Sequence, residues 1–361
     1  MKQRVIFAGG GTAGHIEPAL AVADSLRKLA PEIECQFIGT NSGLEKTLVP
    51  KRNYQLRVIP KVALPRRISI ALLKFPIQFL AAVIAANRIC RGASALVGFG
   101  GYVSAAGYIA AGINAIPIIV HEANAKPGWA NKLGRKLATV TAVNFFSISK
   151  SWPNSFLTGM PIKREIAALS DLDYDKRLEL RSKHLRELRL KPEIPVIAVF
   201  GGSQGSKSIN TAITDFLTSE KSKQVQIIHA LGPLNDLPKG TENYRPMAYF
   251  EDMANIYLIA NLLVTRSGAV TCAEIQCTNS RAILVPLPHG NGEQMINAKE
   301  LEGQGFAKIV DETEFSGQWL NENLLNSITT LNEKRIENSK LHVQASEKIA
   351  KLILDNMKDA N

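Results

Sequence analysis

Short apolar runs alternate with amphipathic stretches along the first half of the chain, a pattern typical of strand and helix in turn. The amphipathic stretches predict helices over residues 18–29 and 68–91. The apolar runs predict strands over residues 5–8, 35–39, 56–59, 95–98, 116–121 and 139–143. This alternation indicates a parallel sheet that is covered by helices on both faces.

The same alternation starts again after a charged stretch over residues 164–195, which we interpret as a linker and a covering helix. Further strands are predicted over residues 195–200, 225–230, 262–265 and 281–286, and a charged helical tail over residues 332–357. The sequence therefore predicts an α/β protein with two Rossmann-like domains, residues 1–163 and 164–344, that face each other across a cleft. We expect a C-terminal helix over residues 345–361 to pack back on the first domain.

One uncharged segment has to be weighed against a membrane span. Residues 92–121 contain no Asp, Glu, Lys or Arg, and a spanning helix needs about 20 apolar residues. Glycines at five positions from 98 to 112, with Asn114 and Pro117, interrupt the segment. The interruptions predict a buried strand, helix and strand.

The net charge of +11 is concentrated in the first domain. Residues 1–164 contain 21 Lys and Arg against 6 Asp and Glu, whereas the remainder contains 22 against 26. A basic half beside a mildly acidic half indicates an anionic partner for the first domain. Nucleic acid, an anionic membrane and a phosphorylated substrate would each satisfy that charge.

Three segments of unusual composition follow predicted strands of the first domain: GGGTAGH at residues 9–15, the first glycine segment, GFGGYVS at 98–104 and HEAN at 121–124. Glycines allow a ligand to approach the backbone closely, and a helix start offers free N–H groups. Because ligands bind at the carboxyl ends of parallel strands, the three segments predict one ligand edge. His15 is either a hydrogen-bonding residue at a helix start or a site imidazole aimed at the ligand.

The second domain carries three comparable segments: GGSQG at residues 201–205, RSGAVTCAE at 266–274 and PLPHGNGEQ at 286–294. Amides at residues 268–270 suit a diphosphate, and the carboxylate of Glu274 suits ribose hydroxyls. The polar groups over 286–294 suit sugar hydroxyls. The alternatives are a tight turn and an ordinary helix start, where the helix dipole favours Glu.

No cluster in the sequence has the spacing of metal ligands. Asp171 and Asp173 form an Asp-x-Asp pair, but they lie in the charged linker rather than after a strand, so we interpret them as a solvated charge pair. A Walker A lysine is also lacking, which argues against ATP hydrolysis. We therefore expect no cofactor and no metal site.

Taken together, these segments resemble the MurG family, the UDP-GlcNAc transferases of bacterial peptidoglycan synthesis. Several of them alone would also fit other two-domain glycosyltransferases. The matching positions follow the family order: residues 9–15 with Glu17 and Pro18, 98–104, 121–124 with Asn131 and Lys132, 201–205, 266–274, and 289–294 with Asn297 and Ala298. The resemblance implies the GT-B fold, with the acceptor on the N-terminal domain and the sugar nucleotide mainly on the C-terminal domain.

The resemblance also implies an inverting transfer of GlcNAc from UDP-GlcNAc to the C4 hydroxyl of the muramoyl sugar in lipid I, which yields lipid II and UDP. In the family this needs no catalytic metal ion bound by the protein. It implies a peripheral enzyme on the cytoplasmic face of the cell membrane, with a part in cell shape and division and no nucleic-acid partner. Alternatives are a lipid glycosyltransferase with a diacylglycerol acceptor, a UDP-sugar epimerase, a nicotinamide-dependent dehydrogenase and a nucleic-acid-binding module.

The resemblance places a set of residues around the donor. In chain order these are Thr12, Ala13, Gly14, Asn124, Ser203, Phe250, Ala269, Val270, Thr271, Cys272, Ala273, Glu274 and Gln294. It implies that Ser203 lies near the diphosphate and Glu274 on the ribose. It further implies that Gln294 binds GlcNAc hydroxyls and that Phe250 contacts uracil through its backbone.

Two departures from the family pattern leave roles open. The family has Arg after Gly-x-Pro-x, whereas residues 159–162 (GMPI) are followed here by Lys163 and then Arg164. Either cation reaches a phosphate, but Lys lacks the bidentate fork of Arg. The family's Gln-Gln pair is Glu293 and Gln294 here, which leaves the role of Glu293 open.

An inverting transfer needs a base for the acceptor hydroxyl and stabilisation of the departing UDP. We expect His15 to serve the acceptor as base or orienting donor, with Glu122 as the alternative catalytic residue. For the leaving group we expect helix-start amides at residues 268–270, supported by Ser203 and by Lys163 or Arg164.

The segment over residues 61–80 mixes apolar residues with the cations Lys61, Arg66, Arg67 and Lys74. Such a face suits anionic lipid headgroups and predicts docking on an anionic membrane surface without a spanning helix. The alternative is a core helix with a solvated basic rim.

Overall fold

The computed structural model describes residues 3–62, 70–289, 291–333, 336 and 340–358, with the backbone alone over residues 70–74. The chain divides into two compact units. The first comprises Met1–Lys163 together with Gln344–Asn361, and the second comprises Arg164–Val343. Each unit contains an open parallel sheet with helices between its strands.

The sheet of the first unit has seven strands within the described residues. They are β1 (Arg4–Ala8), β2 (Glu34–Gly39), β3 (Gln55–Val58), β4 (Ala95–Gly98), β5 (Ile118–Glu122), β6 (Val140–Val143) and β7 (Ser155–Leu157). Their order is β3-β2-β1-β4-β5-β6-β7. Since β1 pairs with both β2 and β4, the strand order reverses at this point, which is where open α/β sheets form a ligand crevice.

Both faces of this sheet are covered. The helices that join its strands are α1 (Ala13–Leu29), α2 (Glu45–Lys51), α3 (Ile70–Cys90), α4 (Gly101–Ile113), α5 (Trp129–Leu137) and α6 (Phe146–Ser151). Val5 and Phe7 pack in a core cluster with residues of α1, whereas Ile6 and Ala8 pack with residues of α3 and α4. Because alternate side chains of β1 enter different cores, the strand appears in the sequence as an unbroken apolar run.

The sheet of the second unit has six described strands, in the order β10-β9-β8-β11-β12-β13. They are β8 (Val196–Phe200), β9 (Gln226–Ala230), β10 (Tyr244–Met247), β11 (Leu262–Thr265), β12 (Ala282–Leu284) and β13 (Ala307–Ile309). The helices are α7 (Arg164–Ala167), α8 (Tyr174–Glu187), α9 (Lys207–Phe216), α10 (Met253–Ile259), α11 (Ala269–Thr278), α12 (Glu293–Gly303) and α13 (Gly317–Asn332). The strand order reverses between β8 and β11, as it does between β1 and β4.

The last helix, α14 (Ala345–Asn356), belongs to the first unit although it follows the second unit in sequence. Ala345, Ile349 and Ile353 recur every four residues and are fully buried. Ile349 and Ile353 lie in the same core cluster as Leu20 and Leu26 of α1. One apolar stripe of a surface helix is thus buried against α1.

The central strands lie within two residues of their predicted bounds, whereas β7, β10 and β13 were not predicted. These three are edge strands. Their side chains are mostly half-buried or exposed. An edge strand is covered less completely than a central one, so it lacks the continuous apolar run that marks a buried strand.

Two predicted helix bounds are wrong. Helix α1 begins at Ala13 rather than at residue 18, because Thr12 adopts an extended backbone and its carbonyl accepts the first helical N–H groups. The predicted helical tail over 332–357 is interrupted: α13 ends at Asn332 and residues 341–344 form turns before α14. The chain passes from the second unit to the first at these turns.

Residues 92–121 contain β4, α4 and β5, as their glycine punctuation predicts. No helix within the described ranges is long and apolar enough to cross a membrane.

Candidate active site

The loops after β1 and β4 contact each other at the carboxyl edge of the first sheet, where these two strands lie side by side. Gly100 and Gly101, after β4, have positive φ angles of 103° and 78°. A Cβ atom on Gly100 would lie 3.2 Å from Nε2 of His15, and one on Gly101 would lie 3.5 Å from Nδ1. The two glycines therefore leave space for the imidazole, and the first two predicted segments come together there.

His15 lies in the first turn of α1 and is oriented by its own segment. Its Nδ1 is 3.2 Å from the carbonyl oxygen of Gly10 and 3.4 Å from the hydroxyl of Thr12. Since a carbonyl oxygen only accepts, Nδ1 carries the proton and Nε2 keeps a lone pair. Burial lowers the pKa of His15, and the Gly10 carbonyl and Glu45 act in the opposite sense. The imidazole is therefore a neutral proton acceptor whose Nε2 lies on the side of Gly100.

Thr12, Ala13 and Gly14 form the N-terminus of α1. Thr12 is exposed, and its carbonyl oxygen accepts the N–H of His15 at 3.2 Å. The N–H groups of Ala13 and Gly14 precede this first helical hydrogen bond, so they point out of the helix end. These residues offer a ligand a hydroxyl and two backbone amides.

Glu122 ends β5 and is 1% exposed. Its Oε1 accepts the N–H of Asn124 at 2.9 Å, and its Oε2 accepts the N–H of Gly128 at 3.2 Å and the side-chain amide of Asn131 at 3.0 Å. Burial raises the pKa of Glu122, and these hydrogen bonds act in the opposite sense. Both oxygens are engaged in shaping the loop that carries Asn124, so the geometry favours His15 over Glu122 as the proton acceptor.

The buried side chain of Tyr108 stabilises the loop that carries Asn124 through its contact with Asn131. The hydroxyl of Tyr108 donates to Oδ1 of Asn131 at 2.8 Å. A Cβ atom on Gly98 would lie 2.2 Å from the Tyr108 ring, and one on Gly134 would lie 2.4 Å from it. Gly98 of the second segment therefore makes room for a side chain of the core and not for a ligand.

His121, which precedes Glu122, is enclosed by its neighbours. It is fully buried, its Nε2 lies 3.1 Å from the carbonyl oxygen of Gly159, and its ring packs on Phe99 with centroids 5.5 Å apart. Burial lowers its pKa to about 4. Within the HEAN segment, Asn124 is thus the residue that remains partly accessible.

One residue near the site was missed by the sequence analysis. Glu45, the first residue of α2, is fully buried and accepts the N–H of Gly11 in the first glycine segment at 3.1 Å. Helix α2 spans only Glu45–Lys51 and was not predicted, so no motif drew attention to its start. The signal in the sequence is a carboxylate that follows two nearby glycines, at positions 39 and 43.

The two candidate cations for phosphate lie in different units. Nζ of Lys163 forms an ion pair with Glu17 at 3.1 Å, and Arg52 lies 3.6 Å from the same carboxylate. Arg164 begins α7 in the second unit and is exposed. The first cation is thus paired with a carboxylate, and the second is accessible.

Arg266, directly after β11, connects the loops of the second sheet edge. It is largely buried, and its guanidinium donates to Ser206 Oγ at 2.8 Å, to the Val285 carbonyl at 3.0 Å and to the carboxylate of Glu312. Burial would raise the pKa of Glu312, but hydrogen bonds from Ser208 and Arg266 hold it below its usual value. Arg266 therefore acts as a structural cation that joins the loops after β8, β11 and β12.

The N-terminus of α11 presents amides at this edge. Cys272 N–H donates to the carbonyl of Gly268 at 2.9 Å, so the amides before it, from Ala269 to Thr271, lie at the open helix end. The side chains of Cys272 and Ala273 are buried in the core. Of the residues predicted to lie around the donor, these two thus offer neither an accessible side chain nor an open amide.

Glu274 follows in the next turn of α11 and is mostly buried. The hydroxyl of Tyr257 donates to its Oε2 at 2.8 Å. This bond fixes the rotamer of the carboxylate at the position predicted for the ribose.

Ser203 and Phe250 differ in what they expose. Ser203 is half-buried in a turn between Gly202 and Gly205, whose φ angles are 90° and 77°. The side chain of Phe250 is buried against Phe200, with ring centroids 6.1 Å apart. Phe250 therefore offers its backbone rather than its ring, as the resemblance implies.

Glu293 and Gln294, the first two residues of α12, make different contacts. Oε1 of Gln294 accepts the N–H of Leu287 at 3.0 Å, which turns its amide NH₂ group away from that backbone. Glu293 accepts the N–H of Asn291 at 3.2 Å, and Asn291 Oδ1 accepts the N–H of Glu293 at 3.2 Å. This reciprocal pair caps the helix and gives Glu293 a structural role. Gly290, in the same loop, lies outside the described residues.

Both members of the Asp-x-Asp pair have structural partners. Asp173 caps α8 by accepting the N–H of Lys176 at 2.7 Å, and Asp171 lies 3.4 Å from Nζ of Lys340. In the described part of the chain, no three His, Cys, Asp or Glu side chains are grouped so as to hold a metal ion.

Comparison with known proteins covers most of both units. Residues 5–143 match the glycosyltransferase family 28 N-terminal domain, and residues 196–353 match the glycosyltransferase family 28 C-terminal domain. The chain belongs to glycosyltransferase family 28. The predicted enzyme class is thereby confirmed.

Named relatives of this chain match it over most of the length of both proteins. A protein of Corynebacterium diphtheriae is 44% identical over 318 residues, which cover 87% of this chain and 85% of the relative. One of Streptomyces coelicolor is 40% identical over 328 residues, covering 89% and 88%. Both are named UDP-N-acetylglucosamine--N-acetylmuramyl-(pentapeptide) pyrophosphoryl-undecaprenol N-acetylglucosamine transferase.

Solved structures agree with this assignment. MurG of Acinetobacter baumannii superimposes with a TM-score of 0.69 at 26% identity, covering 98% of the family 28 chain and 99% of MurG. A UDP-GlcNAc 2-epimerase of Neisseria meningitidis reaches a TM-score of 0.62 at 14% identity, which shows the fold alone. The predicted GT-B fold class and the resemblance to the MurG family are confirmed.

Two Gly→Ala changes should shift the free energy of unfolding in opposite directions, because one glycine packs against His15 and the other has open space around it. Gly100→Ala forces a Cβ against the imidazole at positive φ, so the free energy of unfolding should fall by about 1–3 kcal/mol. Gly112→Ala, in α4 with open space around its Cβ, should raise it by about 0.4–1 kcal/mol. Urea unfolding of both variants checks the pair. Equal stability of Gly100→Ala and the parent would contradict the packing described for His15.

Proposed function

We propose that this chain transfers GlcNAc from UDP-GlcNAc to the C4 hydroxyl of the muramoyl sugar in lipid I, forming lipid II and UDP with inversion at the anomeric carbon. The relatives that bear this name match the family 28 chain over more than four fifths of its length. The local geometry that supports the chemistry is a neutral imidazole with an available Nε2 at one sheet edge and open helix amides at the other.

The acceptor is activated by His15. Its Nε2 takes the proton of the C4 hydroxyl as that oxygen attacks the anomeric carbon from the face opposite UDP. The bond between the anomeric carbon and the diphosphate oxygen breaks, and UDP leaves with the electron pair. Glu122 is a positioning residue in this proposal, because its oxygens shape the loop of Asn124. Thr12, Ala13, Gly14 and Asn124 contact the donor sugar.

The donor is held by the second unit. The open amides of Ala269–Thr271 bind the diphosphate through N–H donors and the positive end of the α11 dipole. Ser203 adds a hydroxyl, and Arg164 adds a cation, since Lys163 is already paired with Glu17. The negative charge of departing UDP is met by these groups without a metal ion.

The ribose, the uracil and the GlcNAc of the donor each have a separate contact in this proposal. Glu274, oriented by Tyr257, accepts the ribose hydroxyls. The backbone at Phe250 hydrogen-bonds uracil. The amide NH₂ group of Gln294, whose oxygen is held by Leu287, donates to a GlcNAc hydroxyl.

A turnover assay tests the function and the base together. With UDP-GlcNAc and a soluble lipid I analogue, the parent chain should form the β-linked disaccharide, and His15→Gln should lower kcat by about 10²–10⁴-fold. His184→Gln, on α8, is the matched control and should retain the parental rate.

Two results would contradict this account. Formation of a glycosylated diacylglycerol without product from the lipid I analogue would overturn the acceptor. Near-parental kcat in His15→Gln with unchanged substrate binding would overturn the base.

We further propose that the first unit docks peripherally on an anionic membrane, at its cytoplasmic face, where lipid I would be presented. Ile77, Leu80 and Ile84 lie on one side of α3 and are 73%, 59% and 48% exposed, while Ala82, Val83 and Ala86 are buried. Exposed apolar residues at this spacing suit insertion into the headgroup region. Arg66 and Arg67 lie outside the described residues, as does the side chain of Lys74.

Vesicle co-sedimentation tests the docking face. Ile77→Ser combined with Leu80→Ser should reduce binding to phosphatidylglycerol vesicles by about 100-fold or more, since two side chains that each contribute about 1.5–3 kcal/mol at full burial contribute about 3 kcal/mol or more together. Neutralising Arg66, Arg67 and Lys74 should weaken binding to anionic vesicles further. Leu234→Ser, at an 85% exposed leucine of the second unit, is the control. Unchanged vesicle binding by both sets of variants would contradict the proposal.

A further inference from the structure

Glu45 is an enclosed carboxylate beside the first glycine segment, and it is 0% exposed. Its Oε1 accepts the N–H of Thr40 at 2.9 Å and the Thr40 hydroxyl at 2.8 Å. Its Oε2 accepts the N–H of Gly11 at 3.1 Å. One side chain therefore ties the loop after β2 to the loop after β1.

Three glycines make the space in which this carboxylate sits. A Cβ atom on Gly43 would lie 1.9 Å from Glu45 Oε2, one on Gly39 2.5 Å from its Cγ, and one on Gly10 3.2 Å from its Oε1. The glycines belong to three different parts of the chain: the end of β2, the loop before α2 and the loop after β1. A pocket built in this way fixes the position of the carboxylate group.

The carboxylate reaches His15 through a single peptide group. The N–H of Gly11, which donates to Glu45, and the carbonyl of Gly10, which accepts from His15 Nδ1 at 3.2 Å, are the two ends of the same peptide bond. Hydrogen bonds at both ends of a peptide group polarise it in the same sense and strengthen each other. The order of groups is carboxylate, peptide, imidazole.

We propose that Glu45 is the positioning residue of the base: it holds the Gly10–Gly11 peptide in the orientation that keeps the Nδ1 proton on that carbonyl and Nε2 free for the acceptor hydroxyl. The inference rests on the role of His15 in the proposed function. In many hydrolases a carboxylate orients a catalytic histidine directly. Here the peptide group stands between the two.

The charge of Glu45 also acts on the imidazole. Burial lowers the pKa of His15, and the negative charge of Glu45 raises it. The other groups that face the ring in the described structure are uncharged, namely the Thr12 hydroxyl, the Gly10 carbonyl and the backbone of Gly100 and Gly101. Removing the charge should therefore lower the pKa of His15 further and make Nε2 a weaker base.

The pH dependence of turnover separates positioning from mere structural support. The base must be neutral, so kcat rises with pH through the pKa of His15. In Glu45→Gln the plateau of kcat should fall about 10- to 100-fold, and the rising limb should move to lower pH. Glu32→Gln removes an exposed carboxylate that lies just before β2 and should match the parent in both respects. A plateau within twofold of the parent would overturn the proposal, as would a loss of rate with an unmoved limb.

A second readout is independent of turnover. The chain contains 6 histidines, and the imidazole Cε1–H resonance of His15 is identified by its loss in His15→Gln. Titration by NMR should give a lower pKa for His15 in Glu45→Gln than in the parent and in Glu32→Gln. If the parent shows no transfer to lipid I but the titration shifts as expected, the proposed function fails while the link from Glu45 to His15 holds. An unshifted titration overturns the link itself.

A milder variant covers the case in which Glu45→Gln does not fold. Thr40→Val removes the 2.8 Å hydroxyl donor to Oε1, keeps the charge of Glu45 and is nearly isosteric. It should lower kcat about threefold to tenfold, because the loss of one hydrogen bond worth about 1 kcal/mol loosens the carboxylate. It should leave the His15 titration close to that of the parent. Parental kcat in Thr40→Val would count against positioning by this carboxylate.

Discussion

The parallel pairing of β1 with both β2 and β4 is the constraint on which the first unit depends. In a parallel sheet the loops that follow all strands lie at one edge, and they diverge where the strand order reverses. Before the loops diverge, strand pairing holds the backbone of β1 and β4 close together, so the first residues of the two loops share a small volume. The same pairing of β8 with β9 and β11 produces a second such edge.

Crowding at these edges explains the glycines better than ligand contact alone. Gly100 and Gly101 leave space for the ring of His15, and Gly98 leaves space for Tyr108. In the second unit, a Cβ atom on Gly205 would lie 1.8 Å from the carbonyl oxygen of Leu231. Several motif glycines thus shape the two sheet edges, and the groups that remain accessible there include backbone amides, hydroxyls and the imidazole of His15. Such a surface suits a substrate rich in oxygen atoms.

The sequence predicts the central strands well because their side chains are buried on both faces and leave unbroken apolar runs, as in β1 and β11. It does not predict the edge strands β7, β10 and β13, whose side chains are mostly half-buried or exposed. It also misses the start of α1 at Ala13, because Pro18 is a typical first residue of a helix. The broken tail before α14 was also missed, since charged residues lie on both sides of the uncharged turns at residues 341–344.

Within the candidate site, the sequence identified loops that the structure brings to the two sheet edges, but not the contacts of each residue. His121 and Glu122 are adjacent in one motif, yet the N–H groups of Asn124 and Gly128 engage the two carboxylate oxygens of Glu122, and the carbonyl of Gly159 contacts Nε2 of His121. The sequence predicts Cys272 and Ala273 around the donor, whereas the structure buries their side chains in the core. No sequence motif marks Glu45. The glycines that enclose it are separate in the sequence, and only the fold places the Gly10–Gly11 peptide group beside it.

We propose a division of labour in which the first glycine segment serves the acceptor through His15 and the start of α11 serves the diphosphate. The most direct measurement is a crystal structure of the chain with UDP and a lipid I analogue. We expect the acceptor C4 hydroxyl to lie within about 3 Å of His15 Nε2 and the diphosphate to lie on the amides of Ala269–Thr271. A diphosphate bound on residues 10–14, with His15 against a phosphate, would contradict it.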